Sequence, residues 1–267
     1  MNYRHSFHAG NFADLVKHAL VLWLVETLRP AAVIDTHAGA GLYDLSGDAA
    51  RSKEAEAGVA RLMMAEGRPA LLDALAARVA AFNPQGGVRY YPGSPLLIAE
   101  ALVPNARYVG FELNPPVREL LSEALAGRDN AEAREADGYA AVVGAVGADP
   151  SLVLIDPPFE RPDDYIRAAE TTLAIRARDP RALVAIWTPL KDMETFDGFI
   201  RRLEGRAGPT LVAEARLRSL TNPMKMNGCA MVVVNPPSGT QAAAREICDW
   251  VVSTLGEPGG RAEVWTF

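Results

Sequence analysis

Leu152-Val153-Leu154-Ile155-Asp156-Pro157-Pro158-Phe159 is the stretch from which the rest of the chain can be read. Its first four residues are branched and apolar, the mark of a strand buried on both faces in a parallel sheet. Its last four set a carboxylate, a proline carbonyl and a flat ring in succession where that strand stops. Asp156 and the Pro157 carbonyl offer two acceptors to the two N–H bonds of an amine on an aromatic ring. Adenine N6 is such an amine, a poor nucleophile because its lone pair is delocalised into the ring. Both prolines fix φ and lack an N–H, so the corner holds its carbonyl in place and leaves Phe159 free to offer a face to a base. The same four residues also suit a plain strand-ending turn, and the remaining sequence has to separate the two.

Two other strand-like runs end in paired prolines without completing the set. Asn114-Pro115-Pro116-Val117 and Asn235-Pro236-Pro237-Ser238 each carry an amide acceptor, and neither has an aromatic in the fourth place. From residue 107 onward, apolar strands alternate with amphipathic helices, which predicts an α/β fold with a mainly parallel sheet. Strands are expected at 107–112, 131–136, 152–156, 182–188, 210–217 and 230–235, with Ala32 to Asp35 as the first strand of the sheet. Ahead of it, 12–28 reads as an amphipathic helix. Residues 42–106 hold more chain than one crossover needs, with helices expected at about 51–66, 69–83 and 94–103. Ser94 can cap the last of these, with Pro95 in the first helical position. That helix is the expected crossover. It leaves 45–92 as a helical subdomain inserted into a single 1–267 domain, at the sheet edge where ligands bind.

At 267 residues, 49% hydrophobic and 22% charged, the chain can bury one large core and reads as a soluble globular protein. The apolar run Ala19 to Val25 falls well short of the roughly 20 residues that span a bilayer. No export signal is legible, so a cytoplasmic protein with no membrane partner is expected. Cys229 and Cys248 lack CxxC spacing and a nearby histidine, which argues for buried thiols over zinc or a disulfide framework. A formal charge of -6 argues against a surface that grips nucleic acid everywhere. Basic residues do gather between Arg51 and Arg89 and at Arg216, Arg218 and Lys225, where solvated faces are the simpler account.

Asp35-Thr36-His37-Ala38-Gly39-Ala40-Gly41 has the form of a glycine turn after a first strand, with Gly39 letting backbone approach a nucleotide. A dinucleotide would need a third glycine opening a helix directly. Asp44 stands there instead and no helix follows at once, so a pyrophosphate would lack its seat. S-adenosylmethionine has no phosphate and needs an acid at the second strand end for its ribose hydroxyls, which Glu112 supplies. Asp137-Gly138, after the third strand, can reach the adenine amine. Asp35, Glu112 and Asp137 thus form a set of acids at successive strand ends. The histidines His5, His8, His18 and His37 crowd the N-terminal region, but no carboxylate or cysteine stands at ligand spacing among His5 and His8. Hydrogen-bonded histidines are expected there, with no metal.

These stretches, together with Tyr3-Arg-His-Ser-Phe-His-Ala-Gly-Asn11, Ala13-Asp14, Lys17-His18 and Tyr90-Tyr-Pro-Gly-Ser-Pro95, give a pattern that covers nearly the whole chain. It resembles the bacterial 23S ribosomal RNA adenine-N6 methyltransferases of the RlmJ type. The resemblance implies a Rossmann-like class I S-adenosylmethionine-dependent methyltransferase, with a seven-stranded, mainly parallel sheet whose last strand runs antiparallel. It implies that His18, His37, Ser94, Glu112, Asp137 and Gly138 contact the cofactor and that Asp156 is the catalytic acceptor. Tyr3, in a segment that closes over the site, would touch the RNA, with Pro157 and Phe159 on the base. Phe159 stands where tyrosine is commoner in the family, which keeps stacking and loses a hydroxyl contact. Leu113-Asn114 after Glu112 is a mild departure. The implied substrate is adenine 2030 of 23S ribosomal RNA, methylated by a monomer on protein-free RNA or an early assembly intermediate. DNA adenine, a protein glutamine amide, and a silent RNA-binding homologue stay open as alternatives.

Overall fold

The computed structural model describes residues 8–46, 53–147, 149–220 and 226–267. Its strands are β1 (Ala32–Asp35), β2 (Leu42–Asp44), β3 (Tyr90–Pro92), β4 (Arg107–Glu112), β5 (Ala131–Glu135), β6 (Ser151–Ile155), β7 (Leu183–Leu190), β8 (Thr210–Arg216), β9 (Gly228–Val234) and β10 (Arg261–Thr266). Its helices are α1 (Phe12–Leu28), α2 (Arg61–Met64), α3 (Ala70–Ala81), α4 (Ser94–Ala101), α5 (Pro115–Ala124), α6 (Gly138–Ala145), α7 (Asp164–Arg178), α8 (Met193–Leu203) and α9 (Thr240–Leu255).

Eight strands form one sheet in the order β10-β8-β9-β7-β6-β1-β4-β5. From β5 to β7 every pairing is parallel. β9 slots between β7 and β8 and runs antiparallel to both. This is the seven-stranded arrangement with one reversed strand, extended by β10, which pairs antiparallel with β8 through Arg261 to Thr266. The strand was not among those expected: Arg261-Ala-Glu-Val-Trp-Thr266 is a short polar–apolar alternation directly after Gly259-Gly260, a weak local signal. The fold is the class I methyltransferase architecture, a mainly parallel sheet with helices on both faces.

One face carries α1, α4, α5 and α9, with Leu15, Leu20, Tyr91, Tyr108, Met231 and Ile247 among its buried side chains. The other carries α6, α7 and α8 over Val153, Ile155, Ile186 and Phe199. Asn11 starts α1 by accepting from the Ala13 and Asp14 amides, and Arg29 ends it in a left-handed conformation. The helix is not amphipathic in the expected sense: twelve of its residues, from Ala13 to Val25, are buried. The segment between β2 and β3 is the reason. A π-helical turn at Glu56–Ala60 and α3 lie against α1, with α2 packed on both of them, so polar residues of α1 face protein. The packing is close at Gly58, where a Cβ would sit 2.2 Å from the Gly10 carbonyl oxygen.

The crossover helix α4 also starts differently from the expectation. Gly93 occupies the cap, Ser94 is the first helical residue, and its hydroxyl points to the sheet. Asn114 and Pro115 open α5, while Asn235 turns the chain in a left-handed conformation, so the two incomplete proline pairs are structural. No described helix is long and apolar enough to cross a membrane.

Candidate active site

β1 lies between β4 and β6, so strand order reverses at its end and a crevice opens beyond the carboxyl ends of these strands. Asp35 closes β1 but does not face that crevice. It is fully buried and accepts from the Ser94 hydroxyl at 2.8 Å, the Tyr108 hydroxyl at 3.2 Å and the His37 amide at 3.1 Å. One expectation changes: Ser94 does not cap α4, and its hydroxyl donates to Asp35, which anchors the glycine turn. Burial, seconded by the nearby charge of Asp156, pushes the Asp35 carboxyl up to about 6. The folded protein therefore holds this proton where the unfolded chain has lost it. The contribution is present below pH ~4 and lost as pH rises through ~6. Asp35→Asn is expected to gain stability relative to the parent protein over that interval, by up to ~3 kcal/mol. Urea unfolding at several pH values measures it, and a pH-independent difference would contradict the assignment.

Beyond β1 the turn folds as the sequence suggests. Gly39 and Gly41 take φ of 65° and 78°, and the chain enters β2 without a helix, so no dipole awaits a phosphate. The Gly39 amide donates to Glu112 at the end of β4 at 3.2 Å, and the Asn114 amide donates to its other oxygen at 2.9 Å. Asp137, after β5, caps α6 through the Tyr139 amide and pairs with Arg167 at 2.6 Å. Burial works against its charge, but Arg167 and the amides more than offset this and hold its carboxyl below the ordinary range. His37 packs edge-on to Tyr139 at 4.7 Å, with Nδ1 2.7 Å from the Thr36 hydroxyl. Burial lowers its pKa to about 4, so the ring is neutral at neutral pH. Half-buried acceptors at the end of β4 and after β5, a bare backbone turn and no anion seat suit the hydroxyls, amine and positive charge of S-adenosylmethionine.

Gly138 has a packing role of its own. A Cβ there would lie 1.9 Å from the Thr36 carbonyl oxygen, since α6 starts directly against the end of β1. Gly138→Ala is expected to lower stability by roughly 3 kcal/mol, because backbone and not a flexible side chain must move. Chemical denaturation tests this, and a loss under ~1 kcal/mol would show that the junction yields easily.

The corner after β6 sits in a cleft of about 570 Å3 lined by Asp156 to Glu160, by Asp14 and Lys17 of α1, and by Trp187 of β7. Asp156 is 9% exposed. Lys17, itself 4% exposed, reaches it at 2.7 Å and reaches Asp14 at 2.8 Å. Burial would push the ammonium down, but the two carboxylates outweigh it and hold the Lys17 pKa well above its ordinary value. Phe159 is not the free platform expected. It is 7% exposed, takes a left-handed φ of 49°, and packs on Tyr165 at 4.5 Å and Trp187 at 5.9 Å. A bulky residue in that conformation costs of order 1–3 kcal/mol, which the aromatic packing around it must sustain. The half-buried Trp187 shares the cleft wall, with the Lys17 ammonium 5.9 Å from its ring.

His18 follows Lys17 but turns into the core, with Nδ1 2.8 Å from the Tyr91 hydroxyl. At the cleft mouth, Glu54 accepts from Asn11 at 3.0 Å and pairs with His8 at 2.9 Å, raising the His8 pKa. Among the basic stretches, Arg68, Arg78, Arg89, Arg216 and Arg218 pair with Asp73, Glu26, Asp44, Glu214 and Glu257. They are faces balanced by acids and not a phosphate track. Tyr3, His5 and Lys225 lie outside the described residues.

Two groups of expected residues thus come together: Gly39 with Glu112, and His37 with the Asp137-Gly138 junction, while the charge of Asp156 reaches both Asp35 and His37. Sequence reading gave no role to Asp14, Lys17, Glu54, Arg167 or Trp187. For the first two a signal existed: charges three residues apart in a helix with an apolar run ahead must pair if buried.

Comparisons with known proteins bear on the family and the fold. Residues 29–267 match the family model described as "RsmJ: Ribosomal RNA large subunit methyltransferase D, RlmJ". Ribosomal RNA large subunit methyltransferase J of Escherichia coli K12 is 32% identical, covering 99% of this chain and 98% of that protein. The Haemophilus influenzae protein of the same name is 30% identical, over 97% and 95%. A crystal structure of a Legionella pneumophila protein superposes with a TM-score of 0.91 at 22% identity, over 97% of this chain and 98% of that one, which bears on the fold. A mainly parallel sheet with its acids gathered at the switch point, and a likeness that runs the length of the chain, place this protein in the RlmJ family of ribosomal RNA large subunit methyltransferases.

Proposed function

We propose that this enzyme transfers the methyl group of S-adenosylmethionine to the N6 amine of adenine 2030 in 23S ribosomal RNA. It would act in the cytoplasm as a monomer on protein-free RNA or an early assembly intermediate. The observation that carries the reading is the buried Asp156 carboxylate, held by Lys17 at the head of a cleft at the strand-order switch. The methyl donor supplies an electrophilic carbon on a sulfonium, and Glu112 and Asp137 would hold its ribose hydroxyls and adenine amine, with Gly39 at its backbone. His18, buried with Nδ1 at the Tyr91 hydroxyl, would meet the cofactor from the core. The target base leaves its RNA stack at a cost of a few kcal/mol, least for an unpaired base. Asp156 and the Pro157 carbonyl accept the two N6–H bonds, returning the lone pair to nitrogen. N6 would then be the nucleophile for the methyl carbon that the bound sulfonium supplies, with the neutral thioether as leaving group. N6 then sheds one proton along its hydrogen bond to Asp156. Tyr3 would contact the RNA, and the 45–92 insertion, through Glu54 and Asn11, supports the cleft mouth.

Labelled methyl transfer offered side by side to protein-free 23S RNA, DNA and a glutamine-containing protein tests this, with mass spectrometry of the modified residue. Transfer to a single RNA adenine is expected. Transfer to DNA adenine or a glutamine amide alone would replace the substrate, and RNA binding with no incorporation would remove the catalytic reading.

A further inference from the structure

Asp137 carries more structure than a cofactor acceptor needs. Its Oδ1 takes the Tyr139 amide at 3.1 Å and its Oδ2 takes an Arg167 Nη at 2.6 Å, so a donor on each oxygen fixes the plane of the carboxylate. The guanidinium lies 4.4 Å over the Tyr139 ring, and that ring meets His37 edge-on at 4.7 Å. Arg167 is thus clamped between a charge and an aromatic face, which reduces the freedom of a long side chain. It stands on α7, the helix that starts soon after the Asp156 corner, while Asp137 heads α6.

We propose that Arg167 is a positioning residue for the methyl donor, fixing the Asp137 carboxylate so that its remaining acceptor position selects a purine bearing an exocyclic amine. This rests on the reading that Asp137 meets the adenine amine. The two oxygens offer four acceptor positions, of which Arg167 and the Tyr139 and Ala140 amides draw on three, so a donor from the purine can add without displacing Arg167. A carboxylate freed from its guanidinium can rotate about χ2, and the amine contact would be made by only part of the population. The purine edge would then be recognised less sharply, while the ribose contact at Glu112 stays unchanged.

The test is equilibrium binding by calorimetry, independent of turnover, using S-adenosylhomocysteine and S-inosylhomocysteine, whose ring bears oxygen in place of the amine. Arg167→Gln is expected to weaken S-adenosylhomocysteine by ~10-fold, and to leave the weaker S-inosylhomocysteine within ~2-fold of the parent protein. Arg167→Lys restores the point charge to the oxygen and is expected to bring binding back to within ~3-fold. Equal loss for both ligands, or no recovery with lysine, overturns the proposal in favour of local packing. Asp137→Asn separates the two layers. If Asp137→Asn leaves S-adenosylhomocysteine binding intact, the purine does not sit at Asp137 and both readings fall. If it weakens binding and Arg167→Gln does not, the role of Arg167 alone is lost.

Discussion

Asp156→Ala is expected to reduce methyl transfer by ~1,000-fold or more while leaving the fold and S-adenosylhomocysteine binding nearly unchanged. The two halves of this expectation have separate causes. Removing the carboxylate takes away one of two acceptors that restore the lone pair of N6, a contribution made in the transition state, so kcat falls and KM moves little. The fold survives because Lys17 keeps Asp14 at 2.8 Å, and the buried ammonium is not left alone. Single-turnover transfer to RNA with calorimetry on the same preparation measures both. Near-normal turnover would end the catalytic assignment of the corner.

Lys17→Met should act in the opposite balance, on stability as well as on rate. The change leaves Asp14 and Asp156 buried without their shared cation, and breaking a buried ion pair from one side costs ~3–5 kcal/mol. The variant is expected to have strongly reduced transfer even where it is folded, because nothing then fixes the Asp156 carboxylate toward the base. A double variant, Lys17→Met with Asp14→Asn, should recover part of the stability and little of the activity. If Lys17→Met unfolds no more readily than the parent protein at pH 8, the pair is not buried as described.

Asp14, Lys17 and Asp156 show why a site can be half legible in a sequence. Asp156 was readable because the prolines beside it and the apolar strand before it form one local pattern. Lys17 lies 139 residues away, on a helix whose inner position depends on the π-helical turn and α3 packed against it. Phe159 shows the converse: the tetrapeptide put a ring beside the acid, but α7 and β7 bring Tyr165 and Trp187 against it and remove its freedom. The Asp35-Ser94 bond is a further case, since Ser94 matches a helix cap in sequence and only the β1–α4 approach makes it a partner for a buried acid.

By itself the sequence determined the alternation of strands and helices, the glycine turn without a phosphate seat, and the acid-proline corner. These are contiguous patterns, set by side-chain periodicity and by the fixed φ of proline and the freedom of glycine. Only the tertiary structure decided which charges are buried together, which strand closes the sheet edge, and which ring faces the cleft. Those outcomes come from long-range contacts, where the cost of burying a charge or an aromatic ring depends on residues that no local window contains.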